Sequence, residues 1–498
     1  MLLKDNMKFT LEKIRNILFA VFILFFCQLA IPSPFQIRLD QHFFFLASGI
    51  VLYFFLVDFN TKDKLENNAF LLIFILGSVV ALNRPVQYGL DEESHLENAI
   101  GISDSFFFKY SDEELRDYDA VFLHDGIRNQ EHFKGDDYWY NVTHTESKIS
   151  GYPIGFDNPS FIPGMLGWNI GRLISKKVYI SYYLGRIFHV LAYALLVYFA
   201  IKFSKVYKEM IYLLGVLPAA LYVSSSYHYD YLYFGASLFL MALLTNILSG
   251  DSKITLKNSI LFQFIVLQFA FAKFPFILMG SLFSIFPNKY YSTKKNRYIS
   301  ILLFLVNMLV SLVFAGFIQL FQTTAPVGGE RPSLSYFLIH PLPIIRTFMN
   351  APSAILDNFI SHPLQYVSVQ SPFLISITAI IFLVFLIVIS MKVNIQLPKF
   401  LKYGVFLLFL AITFLLTYAM TGDPRVYTLG NILVGGVQGR YYYLMIATIP
   451  LVVGEYLHEK ISIRPFTEEE NFLLSKSLQY TMSFLVVLTI SIALYTQI

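Results

Sequence analysis

Across 498 residues the chain has a single cysteine, Cys27, and it lies inside an apolar run. One thiol excludes a disulfide framework and a cysteine-based metal site. Charge is equally scarce: 14% of positions are Asp, Glu, Lys or Arg, whereas 56% are hydrophobic. A water-soluble domain cannot cover that much apolar surface, so the composition specifies a polytopic, all-α membrane protein. There is no phosphate-binding glycine loop, no zinc motif and no nucleic-acid signature, which argues against a nucleic-acid partner and against nucleotide-sugar chemistry in the cytoplasm. No low-complexity tract, soluble domain or internal repeat is evident, and the lack of a repeat counts against a transporter built from duplicated halves. The net charge of +4 is small; where the charges lie says more than their sum.

What is present is a series of apolar windows long enough to cross a hydrocarbon core of roughly 30 Å. They fall at about 15–33, 42–59, 69–83, 180–202, 208–224, 229–248, 256–272, 274–287, 299–321, 372–391, 401–420, 440–457 and 478–496. About thirteen transmembrane helices are therefore expected. The first window follows Lys4, Lys8, Lys13 and Arg15, but Gln28 interrupts it and no small-residue cleavage site follows, so it reads as a retained anchor. Lys62, Lys64, Lys202, Lys205, Lys208, Lys253, Lys257, Lys289, Lys294, Lys295, Arg297, Lys392, Lys399 and Lys402 all fall in alternate short loops. The positive-inside rule then puts the N-terminus in the cytoplasm and the remaining loops outside. The expected organisation is N-terminal spans (1–83), a first long extracytoplasmic loop (84–179), central spans (180–321), a second long loop (322–371) and C-terminal spans (372–498). Loops of such length are uncommon unless they are functional or fold into something of their own.

The outer loops carry the unusual residues. Asp91-Glu92-Glu93-Ser94-His95 follows the third window, and the stretch after Gly89 reads as a helix start with Asp91 as N-cap. Asp91, Glu92 and His95 can share one helix face. An Asp held near a His can take a proton from an attacking hydroxyl; equally, Asp91 and Glu92 can simply cap the helix. Two carboxylates and one His are too few to name a metal. Val437-Gln438-Gly439-Arg440-Tyr441 stands at the mouth of the twelfth window. There Arg440 can hold a phosphate through paired hydrogen bonds, or snorkel to lipid headgroups. Lys273 and Arg186 have similar placements. Lys273 is the odder of the two, because Ala272-Lys273-Phe274-Pro275 puts a cation on the side that lacks the positive bias. Asp230 begins the sixth window after Ser224-Ser225-Ser226-Tyr227-His228, where helix capping is the plain account. In the second long loop Arg331, with His340, Arg346 and His362, can grip an anionic headgroup or a sugar, or can be a solvated face.

Taken in order, these segments resemble the DUF2142 family of bacterial multi-spanning proteins, which are similar to GT-C type glycosyltransferases. The resemblance rests on Asp91-Glu92 with His95, on Asn158-Pro159-Ser160-Phe161-Ile162-Pro163, Gly171-Arg172 and Leu184-Gly185-Arg186, on Ser226 to Asp230, and on Lys273 to Pro275. Gly436-Val437-Gln438-Gly439-Arg440-Tyr441 is its most specific part. It spans roughly 84 to 455. Two features depart from the family pattern: Gly89-Leu90 replaces a usual proline, and two windows precede the one before the acidic motif. The resemblance implies a GT-C-like fold and a polyprenyl-phosphate- or pyrophosphate-linked sugar donor. It also implies transfer on the outer face to an envelope glycan or teichoic-acid-like acceptor. Asp91 would be the base, with Glu92 and His95 orienting it or the sugar. Arg440, Lys273 and Arg186 would hold the donor phosphate, and Gln438, Asp230, Tyr441 and Arg331 would contact substrate. One base without a second nucleophile implies inversion at the anomeric carbon. No cofactor is implied, and a divalent metal is left open. Two other readings compete: a lipid-linked glycan transporter or flippase, and a polysaccharide polymerase.

Overall fold

The structure is a computed structural model, describing residues 2–30, 41–61, 64–84, 89, 92, 95–96, 98–100, 102, 143–144, 159–321, 332–365 and 372–497. Among the described residues the architecture is helical, with two isolated β-bridges and no strand. In chain order the helices are α1 (Leu2–Ala30), α2 (Gln41–Leu56), α3 (Leu65–Asn83), α4 (Ile162–Ile174) and α5 (Val178–Phe203). They continue with α6 (Lys208–Gly215), α7 (Pro218–Ser224), α8 (Asp230–Leu248), α9 (Leu256–Ala272), α10 (Lys294–Phe321), α11 (Leu334–Ile339) and α12 (Leu342–Gln365). The last four are α13 (Pro372–Lys392), α14 (Lys399–Met420), α15 (Tyr443–Lys460) and α16 (Glu468–Gln497).

Each of the thirteen expected windows contains helix, but they are not alike. Among the described residues eight helices are long and apolar enough to cross a membrane, and three further apolar helices are shorter. The differences have local causes. The window at 208–224 is broken between α6 and α7, where Leu217 turns extended before Pro218; the residue before a proline is pushed out of the α region, and proline suits the first turn of the next helix. The window at 274–287 opens as a 3-10 stretch, Phe274–Gly280, with Pro275 in its first turn. α3 carries a π turn at Leu72–Leu76. The second long loop is not a plain loop. Its described part forms α11 and α12, which expose Leu338, Ile339 and Met349. α12 packs over the 439–442 turn and against α7.

α1 and α10 turn many large side chains outward, among them Leu18, Phe22, Leu29, Leu309 and Val313. Lipid is the solvent that tolerates this exposure. α8 is the opposite case, with most of its length buried at the centre against α5, α9 and α15. Hydrogen bonds between helices replace water in the apolar interior. Asn68 Nδ2 donates to Gln479 Oε1 at 2.6 Å, Tyr53 and Ser483 share a bond of 2.6 Å, and Tyr443 donates to Leu214 O at 2.6 Å.

The basic turns gather at one end of the bundle, joined by Lys253 Nζ to Lys289 O at 2.7 Å and Lys392 to Glu209 at 2.6 Å. The starts of α5 and α8 and the end of α9 meet at the other end. There α4 lies on α5 along Gly164, Gly167 and Gly171. A Cβ on Gly167 would come within 2.7 Å of Gly185 Cα, a backbone atom that cannot yield. Gly167→Ala should therefore force α4 and α5 apart. The expected cost is about 1–3 kcal/mol, as for other overpacked sites, read as a lower unfolding temperature of the detergent-solubilised chain. An unchanged unfolding temperature would mean that the α4–α5 contact is not needed for the fold.

Candidate functional site

Five segments far apart in sequence bring charged and aromatic groups together where α5, α8 and α9 meet. The first cluster forms around Glu92. Its carboxylate takes both ends of the Arg186 guanidinium, Nε to Oε1 at 2.8 Å and the second terminal nitrogen to Oε2 at 2.7 Å. Neither side chain is exposed. The Gly89 N–H donates to Oε2 at 3.0 Å and the Tyr227 N–H to Oε1 at 3.1 Å. The remaining guanidinium nitrogen donates to Ala81 O at 3.0 Å and Arg84 O at 2.8 Å, closing the end of α3. Arg84 itself lies 3.6 Å over the Tyr222 ring and donates to Tyr222 O at 2.9 Å. Burial pushes the Glu92 carboxyl up, but the neighbouring Arg186 charge outweighs it and holds the group below its usual range.

The second cluster forms around Asp230. Arg440 Nε lies 2.7 Å from Asp230 Oδ2, and both side chains are almost wholly buried. Among the described residues neither Asp230 oxygen accepts a well-aligned hydrogen bond. The buried Lys273 ammonium sits 3.4 Å above the Tyr441 ring and 5.2 Å from that of Tyr229, with no carboxylate in ion-pair range among the described residues. Arg440 approaches the same Tyr441 ring at 5.3 Å. Tyr233 donates to Tyr441 O at 2.7 Å and stacks on Phe276 at 4.5 Å, which ties α8 to the 439–442 turn. Gly436, with φ of +79°, lets the chain reverse into that turn. The Gln438 side-chain oxygen is buried without a hydrogen-bond donor.

Histidines join the two clusters. The His95 ring lies 4.7 Å from that of His228 and 4.8 Å from that of Tyr229. Both His95 nitrogens and His228 Nε2 are buried without partners, while His228 Nδ1 accepts the Asp230 N–H at 3.0 Å. Burial, assisted by Lys273 and Arg440, pushes His95 down to about 4, so the ring is neutral at pH 7. His228 is lowered by burial, and by the neighbouring Arg440 and Lys273 charges.

The sequence-predicted residues thus separate into two groups. Arg440, Lys273, Asp230, Tyr441, Gln438 and His95 come together. Glu92 and Arg186 belong to the same region but hold each other. Arg186, expected to grip a phosphate, has its guanidinium committed to Glu92 and two carbonyls, and no hydrogen bond joins Glu92 to His95. Asp91 and Arg331 lie outside the described residues. Sequence reasoning missed Arg84 and His189. Arg84 stands where α3 ends, directly before Pro85, a position that marks a span end but not a contact with Tyr222. His189 is buried in α5 with both nitrogens unpartnered, 4.8 Å from the Tyr231 ring. The serines at 224–226 donate back to the carbonyls of Leu221, Tyr222 and Val223, closing α7 rather than facing a ligand. Among the described residues, no group of three or more His, Cys, Asp or Glu side chains is placed to hold a metal ion.

Arg84, Arg186, Lys273 and Arg440 gather here with Glu92 and Asp230. Lys273 and Arg440 both approach the Tyr441 ring, so two buried cations converge on one aromatic face.

Residues 74–449, more than half of the chain, match the family model described as "Predicted membrane protein (DUF2142)", and the chain belongs to that family. No curated protein and no solved structure matches it.

Replacing Glu92 by Gln leaves Arg186 buried without its partner, a change expected to destabilise by about 3–5 kcal/mol. It should show as a lower unfolding temperature and less folded protein in detergent; wild-type values would remove the pair from any structural role. The pH dependence follows from two depressed groups. His95 resists protonation in the folded chain, and so contributes stability that is full above the ordinary value of 6.5 and lost as pH falls towards about 4. Glu92 adds stability above its ordinary value of 4.5 that is lost as pH falls through its lower folded value. The unfolding temperature should therefore fall with acidification below about pH 6.5, and His95→Gln should flatten the upper part of that fall. An identical acid profile in the variant would show that His95 does not titrate this way.

Proposed function

We propose that this DUF2142 protein is a membrane glycosyltransferase of the GT-C type. It would transfer a sugar from a polyprenyl-phosphate-linked donor to a cell-envelope glycan or teichoic-acid-like acceptor. The observation that carries this reading is the convergence of the buried Lys273 and Arg440 cations on the Tyr441 ring, which suits a departing phosphate. Neutralising charge as it develops on a leaving group is often the largest single contribution to lowering such a barrier. An apolar groove of about 660 Å³ supports it. Phe199, Phe203, Phe239 and Phe264 line the groove, as does Leu232, two residues along α8 from Asp230. A polyprenyl chain could lie there while its phosphate reaches Arg440 and Lys273. The lysine-rich turns occupy the opposite end of the bundle, and the positive-inside rule would turn the site towards the outside, where envelope acceptors are found.

In the proposed reaction an acceptor hydroxyl oxygen attacks the anomeric carbon while the bond from that carbon to the phosphate oxygen breaks. The bonding electron pair leaves with the phosphate, beside Arg440 and Lys273. The hydroxyl proton passes to the Asp91 carboxylate. Asp230 holds Arg440 in place, and Gln438 Oε1 can accept a hydrogen bond from a sugar hydroxyl. A single displacement inverts the anomeric centre. Neutral His95 and His228 can donate or accept hydrogen bonds without adding to the positive charge.

The test is the sugar composition of envelope polymers in cells lacking the protein, complemented with wild-type, Asp91→Asn or Arg440→Lys copies at equal level. One sugar should be missing from the deletion, restored by wild type and not by Asp91→Asn. Arg440→Lys keeps the charge but loses the fork, and should lower transfer about tenfold or more. Restoration by Asp91→Asn would remove the base and favour a transport or scaffolding role. Full activity of Arg440→Lys would mean that a point charge is sufficient there.

A further inference from the structure

At the end of the bundle opposite the candidate site lies a polar cavity of about 480 Å³, bounded by three segments. Lys205, Lys208 and Glu209 come from the turn between α5 and α6, Ser249 from the end of α8, and Lys392, Asn394 and Gln396 from the chain leaving α13. Three lysines thus line the cavity with the Glu209 carboxylate, while the neighbouring Asp251 carboxylate accepts the Ser249 hydroxyl at 2.7 Å. Lys392 is paired with Glu209 at 2.6 Å. Lys205 donates only to a neutral carbonyl, Asp251 O, at 3.3 Å, and Lys208 has no carboxylate in ion-pair range among the described residues.

The frame holding these groups is rigid. Buried Asn246 accepts the Lys205 N–H at 2.9 Å and donates to Phe203 O at 2.9 Å. Buried Ser204 accepts the Tyr207 N–H at 3.1 Å, and the Tyr207 hydroxyl reaches Ala447 O at 2.7 Å. Two lysines are therefore presented on a turn whose backbone is pinned to α8 and α15. On the far wall Val393, Ile395 and Leu397 are buried while Asn394 and Gln396 are exposed. This alternation turns both amide side chains to the same face of an extended segment.

We propose that this cavity binds a phosphate-bearing anion. Two lysines beyond the one satisfied by Glu209 supply the charge, and Asn394 and Gln396 supply neutral hydrogen bonds. At about 30 Å³ per water, the volume suits a phosphorylated headgroup rather than a single small ion. The anion is either the headgroup of an anionic lipid or a soluble phosphate compound. Neither lysine touches the Asp230–Arg440 cluster, so this site stands or falls independently of the transfer reaction.

The test uses the full chain in nanodiscs. In one arm inorganic pyrophosphate is titrated calorimetrically into chain held in zwitterionic lipid. In the other, nanodiscs containing phosphatidate are analysed by native mass spectrometry for anionic lipid retained on the released protein. Wild type should bind one probe, and Lys205→Gln/Lys208→Gln should weaken that binding about tenfold or more, the loss expected when charged hydrogen bonds are removed. Higher ionic strength should weaken it in the wild type as well. Pyrophosphate binding alone assigns a soluble ligand, and phosphatidate retention alone assigns a lipid; either outcome upholds the site. No binding in either arm, or equal binding by wild type and the double variant, overturns it.

Discussion

Glu92 and Arg186 meet with neither side chain exposed, and much of the surrounding geometry hangs on that contact. A buried carboxylate and guanidinium are tolerated only when the fork is bidentate and the remaining hydrogen-bonding positions are filled. Here Gly89 and Tyr227 fill the carboxylate side, and the carbonyls of Ala81 and Arg84 fill the guanidinium side. One ion pair thus joins the end of α3, the acidic segment, α5 and the turn before α8. The same turn carries His228 and leads into Asp230, so the placement of the second cluster depends on the first.

The two clusters have different electrostatic character. Around Glu92 every charge has hydrogen-bonded partners. Among the described residues the Asp230 carboxylate meets Arg440 without a well-aligned hydrogen bond, and Lys273 rests on aromatic faces with no carboxylate in ion-pair range. A cation over an aromatic ring is stabilised by roughly 0.5–2 kcal/mol, less than a charge-assisted hydrogen bond to a phosphate oxygen provides in a dry site. Lys273 can therefore exchange its ring contact for an anionic ligand at a net gain, whereas Arg186 would have to give up four bonds. That contrast separates the two clusters: the first is closed on itself, whereas the second holds Lys273 without a carboxylate in ion-pair range among the described residues.

Much of this was legible in the sequence. Apolar windows located helices because crossing a membrane demands length and hydropathy together, and the common placement of basic loops follows from one rule acting on all of them. The ordered motifs singled out Asp230, Lys273, Gln438, Arg440 and Tyr441, and the structure brings them together at one end of the bundle. The pairing was not legible. Glu92 and Arg186 are 94 positions apart, and each alone fits a substrate role as well as a structural one; only proximity distinguishes them. Arg84 was overlooked because an arginine at a span end has a common explanation in lipid headgroups. The second long loop read as solvated because its polar residues and prolines obscure the apolar face of α11 and α12.

α8 links the two ends of the molecule. It starts at Asp230 inside the cationic cluster and ends at Leu248, beside the lysine-lined cavity. Nineteen residues at about 1.5 Å each make a rod of about 28 Å, close to the thickness of a hydrocarbon core. Its middle is buried against α5, α9 and α15, so it has little room to tilt alone. Cations gather at both ends of this apolar helix although the charged residues of the chain are few. At one end they are buried among aromatic rings, and at the other they sit on turns pinned by Asn246 and Tyr207. Water can still reach the lysines at the second end, so their charge costs little there, whereas at the first end burial makes each cation depend on its immediate neighbours.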